Sequence, residues 1–238
     1  MINVLGQVLI AVPLGVLKAG KIEFCGKFSI PPEKKHAIEK VNFYSGMKAH
    51  MLLRKGVDVV TSRLLENTDL FFCPGEIFVQ VWVRRDDKTI FLTGFVVADG
   101  RDRLLSEMKD TRKTSEEIFL NQLERMLHVC PDKQTFINTP STCFAFDLHD
   151  WSEDEFTMGI YSSPSIGAGW QHSLEDNNVL SKTARDDIKA PIENDIYFAG
   201  EHTNIKTCAT VQAAIESGLV AASDILESLK RKGEDDAK

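Results

Sequence analysis

The run that most constrains this chain lies at residues 195–218, DIYFAGEHTNIKTCATVQAAIESG. Ile196, Tyr197 and Phe198 are an apolar run of strand length that breaks at Ala199-Gly200-Glu201. A loop follows, and Thr210-Val211 opens a helix. Small residues recur along it: Ala209, Ala213, Ala214, Ser217, Gly218, Ala221 and Ala222. A helix faced with small residues can lie close against a sheet or a flat ring. A strand ending in glycine lets backbone approach a neighbour closely, because no Cβ intervenes. The first turn of the helix directs unpaired N–H groups and a positive dipole end at whatever sits there. Such a β-loop-α unit suits a phosphate, or a ring that acquires negative charge during a reaction.

The remainder of the chain places that unit in a mixed α/β protein. Val8 to Val12 is a continuous apolar run ended by Pro13, the pattern of a strand buried on both faces. Pro31-Pro32-Glu33 predicts a helix to about Val41, with Ile38 and Val41 inward and Lys34, Lys35, Glu39 and Lys40 in solvent. Phe43 to Leu53 reads as a strand entered through a turn at Gly46. Phe78–Val83 and Ile90–Val97 are β-rich runs joined by a polar segment, which predicts an antiparallel hairpin. A short helix is expected around Leu104–Met108. Thr114-Ser115-Glu116-Glu117 is a capping box ahead of Ile118, Leu120, Leu123, Met126 and Leu127 at helical spacing. Residues 161–178 read as a long irregular stretch, and Lys230 to Lys238 as a charged tail that frays.

Gross composition removes several function classes. A formal charge of −7 disfavours non-specific binding to nucleic acid or to an anionic membrane. The longest apolar stretch, Val8 to Leu17, is too short to span a bilayer and contains Pro13 and Gly15. It also lacks the preceding positive charge of a signal peptide. The five cysteines, Cys25, Cys73, Cys130, Cys143 and Cys208, are scattered without a C-x-x-C pair. Neither a zinc site nor a disulfide framework is indicated, and a reducing compartment such as the cytoplasm is expected.

Phe198-Ala199-Gly200-Glu201-His202-Thr203, Ala209-Thr210-Val211 and Ser217-Gly218, taken with their spacing, resemble the C-terminal flavin-binding motif of the flavin-dependent amine oxidases. That family includes polyamine oxidases, L-amino acid oxidases and flavin-type demethylases. VLIAVPLGVL, from Val8 to Leu17, resembles the phrase by which such enzymes leave the flavin domain. The resemblance implies an FAD-dependent oxidation of an amine to an imine, with dioxygen reduced to hydrogen peroxide. It implies that Val12, Pro13, Ala199, Gly200, Glu201, Thr210, Val211 and Ala214 contact FAD, with Glu201 accepting hydrogen bonds from the ribityl chain. Lys48, after the Gly46 turn, inherits the lysine that holds a water against flavin N5. Tyr161, in a G-x-Y-S phrase led by Trp151 and Phe156, inherits one wall of an aromatic cage for the amine. Monoamine oxidases carry a second cage tyrosine at the Thr210 position. Threonine there leans toward a polyamine- or amino-acid-oxidase relative. Trp170 reads as a packed aromatic or a lining of the substrate entry.

The same family begins its FAD-binding domain with a strand, Gly-x-Gly-x-x-Gly and a helix. This chain has no such run, since Gly167-Ala168-Gly169 lacks the third glycine and the preceding strand. The resemblance therefore implies a C-terminal portion: an incomplete FAD-binding layer plus a β-rich substrate domain. The expected division is a strand of the FAD domain at 1–19, a substrate domain at 20–150, the FAD domain again at 151–229, and a tail at 230–238. Such a portion is expected to be inactive alone and to be completed by an N-terminal half, in the same or a separate chain. Its partners are then an amine substrate and that half, with no nucleic acid and no membrane span. The alternative is a non-catalytic binding or scaffolding module derived from an amine oxidase.

Overall fold

The computed structural model describes residues 6–24, 28–54, 65, 67–128, 143–163 and 183–235. In chain order the elements are β1 (Val8–Ile10), α1 (Leu14–Lys18), α2 (Pro32–Lys40), β2 (Asn42–Phe43), β3 (Gly46–Arg54) and β4 (Leu70–Phe72). There follow β5 (Gln80–Arg85), β6 (Thr89–Val97), α3 (Asp99–Thr111), α4 (Ser115–His128) and β7 (Cys143–Asp150). Last come β8 (Ser162–Ser163), α5 (Ala184–Lys189), β9 (Ile196–Phe198), a 3-10 turn (Glu201–Thr203) and α6 (Val211–Asp235). Two compact units result, one of residues 1–44 with 154–238 and one of residues 45–153. Residues 20–44 thus group with the first unit, where the sequence suggested the middle region. Helix α6 runs through Asp235, past the Lys230 at which fraying was expected. Trp170, Gly167-Ala168-Gly169, Cys25 and Cys130 lie outside the described residues.

In the first unit, β1 and β9 pair in parallel, Val8 to Ile196 through Ile10 to Phe198. The backbone N–H of Ala199 extends the ladder to the Ile10 carbonyl at 2.9 Å. Strand β9 is buried along its length, as expected. Strand β1 is not the doubly buried strand that its composition suggested: Leu9 is 40% exposed. Apolar residues bury only where a neighbour covers them, and β9 is the partner to which β1 is hydrogen-bonded. Leu14 and Leu17 of α1 pack with Ala37, Ile38 and Val41 of α2 and Ile188 of α5. Helix α5, which the sequence reading missed, is held by a Thr183–Asp186 capping box.

Lys34 corrects the reading of α2. Periodicity placed it in solvent, yet it is 2% exposed. Its Nζ donates to the carbonyls of Asp187 (2.7 Å), Ile188 (2.7 Å) and Ala190 (2.5 Å) and lies 4.2 Å from the Phe198 ring centroid. Those carbonyls belong to the last turn and C-cap of α5, which a helix leaves unpaired and which carries the negative dipole end. One ammonium therefore satisfies a helix terminus and fixes α2, α5 and β9 together.

The second unit is a five-stranded antiparallel sheet in the order β4-β5-β6-β3-β7. The predicted hairpin is present as β5 and β6, with Arg85 opposite Ile90. Met47, Ala49, Met51 and Leu53 of β3 alternate inward into a core with Leu92, Val96, Leu104, Phe119 and Leu123. The capping box forms: Glu117 Oε2 accepts from the Thr114 N–H at 2.7 Å, and Thr114 Oγ1 accepts from the Glu117 N–H at 3.2 Å. Helix α3 is longer than Leu104–Met108. Acidic Asp99 and Asp102 in its first turn and Lys109 in its last complement the dipole. Arg101 anchors it to Asp150 of β7 at 2.8 Å and to Glu153 at 2.5 Å.

Replacing Lys34 with methionine keeps the apolar stem but strands three carbonyls. Unfolding in urea should show a loss of about 2–4 kcal/mol. A Lys34→Met protein as stable as the native one would show that this cap does not hold the unit together.

Candidate functional site

The first unit gathers its polar chemistry at the end of β9. Glu201 opens the 3-10 turn, and its carboxylate accepts three hydrogen bonds. Oε1 takes the Ser162 N–H at 2.8 Å, while Oε2 takes the Ser162 hydroxyl at 2.7 Å and the Ala209 N–H at 2.7 Å. One side chain thus joins β8, the 3-10 turn and the approach to α6. Arg185 of α5 stands behind it, with Nη1 donating to Ser162 Oγ and to the His202 carbonyl, both at 2.9 Å. Arg185 is buried, and burial pushes its guanidinium pKa down against the opposing pull of Cys208 and Glu201. Its Nη2, like His202 Nε2, has no hydrogen-bond partner among the described residues.

Gly200 has φ +142°, and a Cβ there would collide with the His202 ring. The glycine is thus required by the packing of that ring, whatever else approaches it. Its N–H donates to Ser217 Oγ at 2.9 Å, which draws the buried face of α6 onto the strand end. Thr210 caps α6: its Oγ1 accepts from the Ala213 N–H at 3.1 Å and donates to the Thr207 carbonyl at 2.6 Å. Val211 and Ala214 are exposed on the first turn, and Ala199 is buried in the sheet. Val12 packs at the edge of the α1–α2 cluster, and Pro13 is the N-cap of α1.

Tyr161 is half-buried and meets a partner that the sequence did not suggest. Tyr44 stands edge-on to it, with ring centroids 5.9 Å apart and planes at 89°. The Tyr44 N–H donates to the Tyr161 carbonyl at 3.0 Å and the Ile160 N–H to the Tyr44 carbonyl at 2.9 Å. Gly159, at φ +143°, makes the approach possible, since a Cβ would sit 2.5 Å from the Phe43 ring and 2.8 Å from the Tyr44 carbonyl. Burial, then the neighbouring Tyr44, raises the Tyr161 pKa, so its phenol stays protonated.

The structure therefore brings Glu201, Ser162, Arg185, His202 and the start of α6 together, and Tyr161 with Tyr44. Lys48 belongs to the other unit. It is exposed on the face of β3 opposite the core, opposite Phe95 on β6 and His149 on β7, with Nζ 6.0 Å from the Phe95 ring centroid. Sequence reasoning missed Tyr44, Arg185 and the clamp that Ser162 forms. Only the Thr183-x-x-Asp186 cap pointed toward the helix that carries Arg185.

The sequence pattern described as flavin containing amine oxidoreductase matches residues 5–226. The chain belongs to that family. Among curated relatives, lysine-specific histone demethylase 1 homolog 1 of Arabidopsis thaliana is 28% identical over 96% of this chain and 25% of its own length. Polyamine oxidase 2 of the same plant is 28% identical over 95% of this chain and 40% of its own. The fold is shared with solved amine oxidases. Cyclohexylamine oxidase from Brevibacterium oxydans IH-35A superposes with a TM-score of 0.66 at 17% identity, over 94% of this chain and 43% of that one. Putrescine oxidase bound to putrescine gives a TM-score of 0.64 at 18% identity, over 93% and 42%. The chain thus spans between a quarter and less than half of these proteins. No helix among the described residues is long and apolar enough to cross a membrane.

Flavin is the prosthetic group that this family carries, and the residues at the start of α6 fit one. The Val211 and Gln212 N–H groups, at the positive end of a 25-residue helix, meet no acceptor among the described residues. Val211 itself is 73% exposed. Glu201 Oε1 accepts a single hydrogen bond, which leaves it capacity for a hydroxyl donor.

His202 sets a pH limit on this cluster. Burial, then the charge of Arg185, pushes its imidazole pKa from 6.5 down to about 4. The unfolded chain takes up the proton first, so stability is whole above the ordinary imidazole value and is lost as pH falls toward the folded one. The loss should reach about 3 kcal/mol. In urea unfolding, His202→Gln should flatten the stability profile across that window. An identical slope in both proteins would contradict a neutral buried imidazole.

Proposed function

We propose that this chain, assembled with the polypeptide that completes the family's flavin-binding domain, oxidises an amine to an imine at the expense of dioxygen. The observation that carries the reading is the Glu201 clamp at the open start of α6. There a carboxylate with one free acceptor position adjoins amides with no partner of their own among the described residues. The chemistry FAD supplies when bound is acceptance of a hydride from the carbon beside the amine nitrogen and delivery of both electrons to dioxygen.

The chain's own residues bind and orient. Glu201 would accept a ribityl hydroxyl of the flavin, and its carboxylate is held in place by Ser162 and the Ala209 N–H. The N–H groups of Val211 and Gln212, at the positive end of the helix, would stabilise negative charge that the bound flavin acquires. Val12, Pro13, Ala199, Gly200, Thr210 and Ala214 shape the backbone around it. The first unit supplies the flavin layer and the second the substrate domain. Tyr161 offers a neutral aromatic wall to the amine, held at its angle by the edge of Tyr44. The amine reacts as the free base, with its nitrogen lone pair assisting departure of the hydride from carbon. Lys48 holds a water for proton delivery as dioxygen is reduced to hydrogen peroxide.

In the assembled protein, an amine added without air should bleach the flavin, and readmitted air should restore its colour with release of peroxide. Lys48→Met should leave bleaching unchanged and slow the return of colour by about tenfold or more. A colourless assembly, or native-like reoxidation in Lys48→Met, would defeat respectively the functional reading and the role of Lys48.

A further inference from the structure

The strand pairing that displays Lys48 also sets a histidine beside it. Lys48 on β3 lies directly opposite His149 on β7, and Met47 lies opposite Asp150. Residues facing each other across an antiparallel pair hold their Cβ atoms about 4.5–5.5 Å apart on one face of the sheet. Met47 is buried in the core, so Lys48 and His149 project together from the other face, where both are exposed. Hydrogen bonds at the end of the ladder lock that register. The Trp151 N–H donates to the Gly46 carbonyl at 3.1 Å, the Gly46 N–H to Ser152 Oγ at 3.0 Å and the Ser152 N–H to Asp150 Oδ1 at 3.0 Å. Arg101 of α3 holds Asp150 on the core side at 2.8 Å. A slip of one residue would also carry Met47 out of the core.

The surroundings of the pair single out His149. Its imidazole meets the Trp151 ring edge-on, with centroids 4.2 Å apart and planes at 67°. Strand β7 is the outer strand of the sheet among the described residues, so His149 stands between Lys48 and the sheet edge. The next row on this face pairs His50 with Asp147. His50 is engaged there: its Nδ1 lies 3.2 Å from Thr93 Oγ1 and its ring stacks on Phe91 with centroids 5.5 Å apart. Strand β6 adds only the uncharged Phe95 and Thr93 to these two rows. The charged and titratable neighbours of His149 on its face are therefore Lys48, His50 and Asp147.

Reduction of dioxygen to hydrogen peroxide takes two electrons and two protons. The hydride that leaves the amine carbon carries both electrons and one proton, so a second proton comes from solvent in every turnover. In the functional proposal the water on Lys48 delivers it. An ammonium that gives its proton to that water is left as a neutral amine and has to be recharged. Imidazole is the side chain suited to exchanging protons with solvent near neutral pH, and transfer from imidazolium to an alkylamine runs downhill. We propose that His149 recharges Lys48: its imidazolium passes a proton to the Lys48 amine and takes another from solvent at the sheet edge. Only N–H bonds are broken and made, and the charge of the pair is restored in each cycle. This deepens the functional proposal and rests on it for the step that is served. His149 acts through Lys48, as a positioning residue.

Two measurements test it. In the 238-residue chain, the imidazole of His149 is followed by NMR against pH. Its titration should move up by about 0.3 pH units or more in Lys48→Met, because a neighbouring positive charge disfavours imidazolium. An unchanged titration overturns the proposal. In the assembled protein, His149→Ala should slow the return of flavin colour in air about tenfold, and added imidazole should restore it. The native rate should fall with rising pH as imidazolium is lost, and the variant should lack that fall. Lys48→Met/His149→Ala should be no slower than Lys48→Met alone, since one residue acts through the other. Should the alanine lower Tm, His149→Gln gives the same comparison of rates with the bulk of the side chain kept. Native-like return of colour, slowing that adds to that of Lys48→Met, or no rescue by imidazole each overturns the proposal. An assembly that never bleaches with an amine overturns the functional reading and the step that His149 serves, while the titration still reports the coupling of the two side chains.

Discussion

The carboxylate of Glu201 is the point on which the first unit's chemistry depends. A charged acceptor in a half-buried place is tolerated only when its lone pairs are met. Here Ser162 meets both oxygens and the Ala209 N–H meets one, so the segments leading to Tyr161 and to α6 cannot move independently of the turn after β9. Arg185 supplies the opposite charge from behind while spending its own hydrogen bonds on Ser162 and the His202 carbonyl. The cluster acts as a frame: it fixes the turn after β9 against the approach to α6 and leaves Oε1 with one hydrogen bond and room for a second. Lys34 does comparable work on the far side of α5, closing the helix end opposite to the one that carries Arg185.

How far this was legible depended on whether the deciding contact was local. The strand, the break at Gly200 and the helix after Thr210 were readable because each obeys a short-range rule. So were the Thr114–Glu117 capping box and the β5–β6 hairpin. Lys34 was misread because α2's periodicity places a lysine by its own helix alone. Its true acceptors lie on α5, about 150 residues later in the chain. Tyr44 escaped notice for the same reason, since nothing near it announces a partner at Tyr161. Arg185 sits on a six-residue helix too short to show a period, although its Thr183–Asp186 cap was written in the sequence. Leu9 failed in the opposite sense. Its composition says buried, yet it is 40% exposed, because burial depends on what packs over that face of the strand and not on the residue's own apolar character.

The residues at the candidate site also turn out to carry structural duties alongside those the family resemblance implies. Thr210 caps α6 with the side chain that monoamine oxidases replace by a tyrosine ring. Gly200 makes room for an imidazole of this chain. The small residues along α6 divide their service: Ala213, Ser217 and Ala221 let the helix settle on the strand end, while Ala214 and Ala222 lie on the open side. A stripe that reads as one feature in the sequence is two faces in the fold. Family membership, the TM-score of 0.66 and the position of the Glu201 clamp are mutually consistent. Under the proposal above, the start of α6 is where this chain holds the flavin.

The most direct test is the affinity of the assembled protein for FAD with Glu201 native and with Glu201→Gln, followed by quenching of flavin fluorescence at matched Tm. The amide keeps the shape of the side chain but removes its charge and turns an NH2 group toward donors. The account predicts affinity weaker by about tenfold or more in a protein that remains folded. FAD held as tightly by the Glu201→Gln protein as by the native one would mean that the clamp is only scaffolding, and the site would have to be sought elsewhere.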